Sequence, residues 1–447
     1  YEERDFEVLN LKLGISFENF DLTFMGATKE QTRIDHWDLT PWLGLYDDVS
    51  FTGGNFADVK FESNTFEGRL VSTGDGPLEW IAGVWYEKED GDRNRHVTFQ
   101  TPRVGFTLFG LADGDFLWDH DTFEDKEELS VYGEVGYRFS DQAKLTLGYR
   151  RADLKLDSGV TRADALLDGA ERAAIGVDES TQEDINTYKI HFEYRFNDDI
   201  LAYVLASSGY RAGGFNRSGF AQVSAVSPYG TDSLWNYEVG ARTSWLDNRL
   251  TANAVAYYID WTDIQLRTFD VESLTQKIQN TGKAEVFGLE TEIDFQATDN
   301  LRLSVNYAYT DATLAEDYIK TPPTVAVPKG TRIPSVAEHT FSLLADWRRP
   351  LTSSLELQAN ASYVYSGSRA NALQSGGVTG GFPEVPSSDV TNLSVGVSHD
   401  NGVTVSAFAN NLFDARNLQW QTGLGTALEA NMMNRPRTIG LRVGYQF

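Results

Sequence analysis

The polarity of the chain alternates. Leu301, Leu303, Val305, Tyr307 and Tyr309 interleave with Arg302, Ser304, Asn306, Ala308 and Thr310. Successive side chains of a strand point to opposite faces, so a period of two predicts a strand with one apolar face. Leu355, Leu357, Ala359, Ala361, Tyr363 and Tyr365 repeat the pattern against Glu356, Gln358, Asn360 and Ser362, and Ile439, Leu441, Val443, Tyr445 and Phe447 repeat it again. Carried along the chain, the template predicts about seventeen strands of roughly ten residues or more, the length a tilted strand needs to cross a bilayer. Soluble strands run nearer five or six. No helical segment of similar length is predicted, and no stretch approaches the roughly 18 unbroken apolar residues of a helical span.

The connections alternate between two classes. Short turns are predicted around Glu18–Asn19, Gly74–Pro77, Ser140–Gln142, Asn197–Asp199, Asp247–Asn248, Thr298–Asn300, Arg349–Ser353 and Asp400–Gly402. Long loops are predicted around 35–57, 91–125, 157–182, 213–230, 266–275, 314–337, 367–388 and 414–435. Short turns on one side and long loops on the other are the pattern of outer-membrane barrels, with the short side in the periplasm. Aromatics follow the same division. Phe20, Trp80, Phe139, Phe196, Trp245, Phe295, Trp347 and Phe447 stand beside the turns, and Tyr86, Tyr149, Tyr210, Trp261, Tyr309 and Tyr365 near the loops. Two interfacial girdles are expected. The fold expected is thus all-β: a transmembrane antiparallel β-barrel with long extracellular loops and short periplasmic turns.

Strand parity adds an expectation. The last strand ends on the short-turn side, and an odd count places the start of the first strand on the long-loop side. Bacterial single-chain barrels have an even count, so an odd number of strands is expected before Tyr1. Five would give a 22-stranded plugged transporter and one an 18-stranded porin. The opening YEERDFEVLN has neither an initiator Met nor a targeting segment. Residues 1–447 are therefore expected to be one barrel domain, incomplete at its N-terminus and without a plug domain.

Composition changes the picture in three places. The 26 Phe, 20 Tyr and 10 Trp suit bilayer interfaces. A formal charge of -27 repels a polyanion, so no nucleic-acid partner is expected. There is no cysteine, and His36, His96, His120, His191, His339 and His399 include no HExxH pair or zinc spacing, so no metal site and no cofactor are expected. Asp113, Asp115, Asp119, Asp121, Glu124, Asp125, Glu127 and Glu128 lack EF-hand spacing and read as a solvated acidic loop. No catalytic residue is assigned: Ser398, His399 and Asp400 are consecutive, and strand neighbours point apart, so they cannot converge as a triad.

Four stretches carry a family likeness: SSGYRAGGFN at 207–216, NTGKAEVFGLETEI at 280–293, NNLFD at 410–414 and RPRTIGLRVGYQF at 435–447. In the first, Gly213 and Gly214 are expected to supply backbone angles closed to other residues. In the second, Gly282 and Gly288 are expected to interrupt a strand, with Glu290, Glu292 and Asp294 facing the lumen. In these stretches the chain resembles the C-terminal barrel region of TonB-dependent outer-membrane receptors. The resemblance implies an outer-membrane protein of Gram-negative bacteria that imports a bulky nutrient (siderophore-iron, haem, cobalamin or carbohydrate) with energy from TonB, acting through a plug segment. Implied partners are outer-membrane lipid and lipopolysaccharide, the TonB system, the small-molecule nutrient and the barrel-assembly machinery, for which Tyr445 and Phe447 would be the terminal signal.

A ligand site made by upper loops needs convergent aromatic and polar groups. The candidates are Trp37, Trp42, Tyr46, Phe116, Trp118, Arg211, Phe215, Asn216, Arg217, Tyr229 and Trp420. Trp and Tyr offer flat apolar contact with a polar edge, and Arg meets a carboxylate or catecholate. For each, packing within its own loop is the ordinary alternative. Two other readings share parts of the pattern: a passive diffusion porin, and a soluble or cell-surface β-rich binding protein.

Overall fold

The computed structural model describes residues 2–38, 52–100, 116–165, 177–216, 227–270, 275–320, 325–371, 373, 384–423 and 429–446. The chain is 79% strand with no helix among the described residues. Seventeen strands form one antiparallel sheet in which each pairs with the next. In order they are Glu2–Ser16, Phe20–Asp38, Thr52–Ser72, Leu78–Gln100, Phe116–Arg138, Ala143–Ala165, Val177–Asn197, Ile200–Arg211, Asp232–Trp245, Leu250–Thr262, Ala284–Thr298, Leu301–Leu314, His339–Pro350, Leu355–Ser366, Ser388–His399, Val403–Asn410 and Thr438–Tyr445. Among the described residues four two-stranded ribbons rise from the long-loop side, including Gln265–Asp270 with Thr275–Asn280 and Leu418–Gly423 with Glu429–Met433.

Register gives each face its character. Directly paired residues share a face, and pairing runs unbroken from Val239 to Val204, Phe192, Leu145 and Tyr137 in one direction and to Ala256, Leu289, Tyr309 and His339 in the other. Apolar residues dominate this outward face, and they are uncovered by protein: Val239, Val204, Ile190 and Val135 are all about half exposed. A body folded in water would bury them. A sheet presenting them continuously is one whose other side of the interface is lipid.

Aromatics bound the band. Trp235 and Trp245 lie on the same face of one strand, about 33 Å apart along it and about 23 Å along the membrane normal at a 45° tilt. Near the turns Phe20 meets Trp80, Tyr137 meets Phe139 and Tyr194 meets Phe196; at the other rim Tyr149, Tyr188, Trp235 and Tyr237 run ring to ring. Two residues expected in the upper girdle do not belong to it. Trp261 shares its face with Tyr257 and Ile259 and packs inward against Ile264, Ala284 and Val286. Tyr210 lies beside Glu128, on the lumenal side.

The turns fall where predicted. The Asp247–Asn248 turn is built from three successive residues with positive φ, Leu246, Asp247 and Asn248, and Asn and Asp tolerate that region best among residues with a Cβ. The first three long loops are shorter than predicted because their strands continue beyond the bilayer, whereas the later ones begin and end close to or outside the predicted bounds. Strands reach Gln100 and resume at Phe116, and the acidic run from Asp119 to Glu128 is strand, not loop. With no lipid on either side both faces are polar there, so hydropathy alternation disappears while hydrogen-bonded pairing persists.

This extension carries part of the negative charge in an ordered way. Glu7, Glu30, Glu62, Asp90, Asp125 and Asp157 are successive register partners across six strands, on the outward face above the girdle. Like charges directly opposed destabilise a sheet. Lys60 (3.5 Å from Glu30), Lys88 (2.9 Å from Asp90) and Lys155 (2.7 Å from Asp157) offset the row. Burial first, and then the Asp90 carboxylate, push the Asp125 carboxyl above its ordinary value. A raised carboxyl favours folding below its unfolded pKa and loses that contribution as pH rises through the folded value, so at neutral pH the charge works against the rim.

Two outcomes are expected. Val239→Arg, at the middle of the lipid band, should cost about 2–4 kcal/mol of folding stability in phospholipid vesicles, measured by urea titration, while Thr251→Arg on the lumenal face costs less than about 1 kcal/mol. Asp125→Asn should stabilise the protein by no more than about 1 kcal/mol at pH 7, with the gain shrinking as pH falls.

Candidate functional site

The described extracellular candidates gather mostly at one place, the base of the loops that follow Ile200–Arg211, Leu250–Thr262 and Leu301–Leu314. Asp232 is buried there and accepts from the Arg211 guanidinium (Nε, 3.1 Å) and from the Gln265 N–H (3.0 Å). Arg211 also donates to the Gln265 carbonyl at 2.9 Å and lies over the Trp261 ring, 5.2 Å from its centre. Gln265 Nε2 in turn donates to the carbonyls of Ala212 (2.8 Å) and Gly230 (3.0 Å). Arg211 thus meets a carboxylate, as its chemistry predicts, but the chain's own.

The neighbouring candidates are also engaged. Asn216 donates to the Ile278 carbonyl at 2.6 Å and accepts from the Ile278 N–H at 2.7 Å. Phe215 is buried. Tyr229 is the register partner of Gly214. A Cβ on Gly214 would come within 2.4 Å of the Tyr229 hydroxyl, and one on Gly213 within 2.6 Å of the Tyr229 carbonyl. Neither glycine has positive φ, so the expected reason for them is corrected: they give room, not a special backbone angle. Gly282 does need the angle, at φ 89°. Gly288 does not interrupt its strand; the Tyr257 ring lies where its Cβ would be.

Three residues absent from the sequence candidates complete the cluster: Asp232, Gln265 and Asn280. Asn280 accepts from the Gly230 N–H at 2.8 Å and donates to the carbonyls of Gly230 (2.9 Å) and Asp263 (2.8 Å). Tyr318 reaches from the third loop to Gln279 at 2.9 Å, and burial raises its phenol pKa. The only sequence signal was the Asn280–Gly282 start of one family-like stretch. Three loops are thereby tied into a single block whose polar groups are mostly satisfied internally.

Trp420 stands apart on the last ribbon. It is 42% exposed and its register partner Met432 62% exposed. An indole edge beside a thioether forms an adaptable apolar surface at the extracellular rim. Trp37, Phe116 and Trp118 are placed on strands by their backbones, opposite Asn55, Thr98 and Val97, and their side chains lie outside the described residues. Trp42, Tyr46 and Arg217 lie outside them altogether, as does Phe447. Tyr445 faces outward on the last strand, exposed.

Inside the sheet, the wall from Leu78–Gln100 to Val177–Asn197 is lined by long chains that neutralise one another. Glu79 pairs with Arg138 and Lys144, Glu134 with Lys189 (3.0 Å), and Glu87 with Lys126 (2.9 Å). Glu290, Glu292 and Asp294 face the same interior, as expected, since their partners Ala308, Asn306 and Ser304 are the polar face of the next strand. His399 Nδ1 lies 2.7 Å from Asp400 and accepts from the Asn401 N–H at 3.1 Å, closing a turn, with Ser398 outside that contact. No group of three metal-ligating side chains occurs among the described residues.

Asn411, at the end of Val403–Asn410, explains the NNLFD stretch. Its φ is 51° and it is 4% exposed. The side chain donates to the carbonyls of Ala415 (2.9 Å) and Arg435 (3.0 Å) and accepts from the Ala415 N–H (2.8 Å). It fixes where the last loop leaves and where the final strand begins. Asp414 accepts from the Arg437 N–H at 2.8 Å, a bond that lowers its carboxyl pKa.

Comparison with known proteins places this geometry. The family described as TonB dependent receptor-like, beta-barrel, matches residues 3–412. The metal-pseudopaline receptor CntO of Pseudomonas aeruginosa is 24% identical over 354 residues, 77% of this chain and 46% of that protein. The chain therefore spans about half the length of the curated relatives it matches. Among solved structures, the ferric yersiniabactin uptake receptor FyuA of Yersinia pestis superposes with a TM-score of 0.78 at 16% identity, over all of this chain and 62% of that one. The siderophore receptor PiuA of Acinetobacter baumannii gives 0.73 at 16% identity (99% and 64%) and the copper transporter OprC 0.72 at 13% (99% and 66%). At these identities the structural likeness establishes the fold.

Asn411→Ala should cost about 1–3 kcal/mol, because it removes three hydrogen bonds to part-buried backbone groups and keeps a strained backbone angle. The folded fraction after refolding into detergent, read from the heat-dependent shift on a gel, is the measurement.

Proposed function

Because the chain belongs to the TonB-dependent receptor β-barrel family, we propose that it forms the wall of an outer-membrane receptor of a Gram-negative bacterium that imports a metal chelate of the siderophore class, energised by TonB. The observation that carries this reading is the two-faced sheet, apolar outward and polar inward, capped by loops tied into a rigid extracellular block. The cargo class follows from the relatives: one is named for metal-pseudopaline, others for ferric yersiniabactin, a siderophore and copper. The wall supplies the conduit, and the TonB contact belongs to a plug working within a completed, 22-stranded barrel. Lipid and lipopolysaccharide surround the outward face, and the assembly machinery reads the final strand with Tyr445 and Phe447.

In this reading the rigid block frames the mouth and the exposed rim makes contact with cargo. Arg211, Phe215, Asn216 and Tyr229 act as the frame, through the bonds that bind the loops together. Trp420 and Met432 offer the free surface for an apolar or aromatic part of the chelate. Trp37, Trp42, Tyr46, Phe116, Trp118 and Arg217 belong to the same extracellular side as further contacts.

The test is uptake of 55Fe-yersiniabactin and 65Zn-pseudopaline by cells whose only such receptor is this one, with and without TonB. Uptake of at least one chelate that vanishes without TonB is expected. Entry of both at the same rate without TonB would overturn the reading in favour of diffusion. Trp420→Ala combined with Met432→Ala should weaken surface binding of the transported chelate about tenfold, and unchanged binding would remove both from the site.

A further inference from the structure

Sulfur is confined to three residues of the chain, Met25, Met432 and Met433, and there is no cysteine. Their settings differ. Met25 lies in the wall, on the lumenal face of Phe20–Asp38 between its register partners Lys12 and Glu67, and is half-buried. Met432 and Met433 close the extracellular ribbon strand Glu429–Met433 and are 62% and 48% exposed. Neighbours on a strand point to opposite faces, so each face of the ribbon carries one thioether. A covering laid on either face leaves the sulfur of the other open to solvent.

The pair is held in place by groups other than itself. Immediately beyond it the base of the ribbon is closed twice: the Asn417 N–H donates to the Asn434 side chain at 2.8 Å, and the Asn434 N–H to the Asn417 carbonyl at 3.0 Å. Asn417 Nδ2 donates to the Asp389 carbonyl at 2.7 Å, and Arg369 Nη2 to the Gln419 carbonyl at 2.5 Å. None of these bonds involves a thioether, so a change at sulfur leaves the anchor intact and alters the surface alone. On that surface Met432 is the register partner of Trp420, and its value as a contact lies in a soft, flexible, apolar side chain.

We propose that Met432 and Met433 form a peroxide-oxidation site that switches the rim from apolar to polar. Each thioether sulfur attacks one oxygen of hydrogen peroxide. An S–O bond forms, the O–O bond breaks, and the departing hydroxide takes the proton of the transferred hydroxyl, so that thioether and peroxide become sulfoxide and water. Sulfur gives up two electrons and the peroxide accepts them. Hydrogen peroxide is uncharged, so the formal charge of -27 does not repel it as it would an anionic oxidant. The sulfoxide is polar and chiral, and reductases specific for its two epimers return it to the thioether. The oxidation needs nothing from the cargo; its consequence, weaker capture beside Trp420, rests on the import reading above.

The site is tested on the full-length receptor in isolated outer membranes, treated with hydrogen peroxide and followed by peptide mass spectrometry over time. The peptide holding Met432 and Met433 should gain an oxygen at each sulfur about tenfold faster than the Met25 peptide, and methionine sulfoxide reductases of both epimer classes should remove them. Oxidation of Met25 first or at an equal rate, or no gain at Met432 and Met433, overturns the site.

The consequence is read from binding of 55Fe-yersiniabactin and 65Zn-pseudopaline to the same membranes, each receptor compared with itself before and after peroxide. Oxidation should weaken binding of the captured chelate about fivefold, and the reductases should restore it. With Met432→Leu and Met433→Leu combined, peroxide should change binding less than about twofold, because leucine keeps the apolar volume without an oxidisable sulfur. An equal loss in that variant overturns the switch. If the untreated receptor captures neither chelate, the import reading has failed and the capture consequence with it, while the mass spectrum still decides the oxidation site.

Discussion

A peptide group in hydrocarbon has no water to bond to, and the architecture of this chain follows from that constraint. Every N–H and C=O crossing the bilayer must find its partner on an adjacent strand, so the spanning unit is a meander in which each strand serves the next. Once the backbone is committed to strands, side chains are divided by parity. Apolar residues and interfacial rings go to the lipid face, and charges, amides and hydroxyls go to the interior. The exposure of Val239, Val204 and Ile190 is a consequence of this division.

Beyond the bilayer the same pairing continues under different rules. Water covers both faces, so the strands from Glu2–Ser16 to Ala143–Ala165 run on as polar sheet and carry a row of opposed carboxylates that would be untenable in lipid. On the other part of the circumference strands stop earlier, and their loops are bound together by a few polar side chains: Asp232, Gln265, Asn216 and Asn280. These bonds join the bases of three loops into one block. In the import reading proposed above, a mouth of fixed shape would capture cargo with less ordering cost than free loops, and the exposed Trp420 and Met432 lie outside that block.

Strand number and turn positions were legible because lipid imposes a period of two on the sequence and because turns such as Asp247–Asn248 need residues that accept positive φ. Loop extent was not legible. The carboxylates from Asp119 to Glu128 read as a solvated loop, since nothing apolar marks a strand in water, and only the pairing partners reveal it. Trp261 was misplaced for a related reason: an aromatic near a strand end suggests the girdle, but its parity with Tyr257 and Ile259 turns it inward. Arg211 was a sound candidate for carboxylate recognition whose acceptor proved to be Asp232, a partner that becomes adjacent only through strand pairing. The family-like stretches were legible as motifs, and the structure supplies their physical content in Asn411, Gly282 and Asn280.

The central claim is that parity along each strand separates lipid from lumen. The most direct measurement is a spin-label scan through the strand Val177–Asn197, one cysteine at a time from Tyr188 to Tyr194, in phospholipid vesicles. Labels at Tyr188, Ile190, Phe192 and Tyr194 should collide with dissolved oxygen and be shielded from an aqueous nickel chelate, while those at Lys189, His191 and Glu193 show the reverse. A smooth profile without period two, or high nickel accessibility at Ile190 and Phe192, would contradict the account.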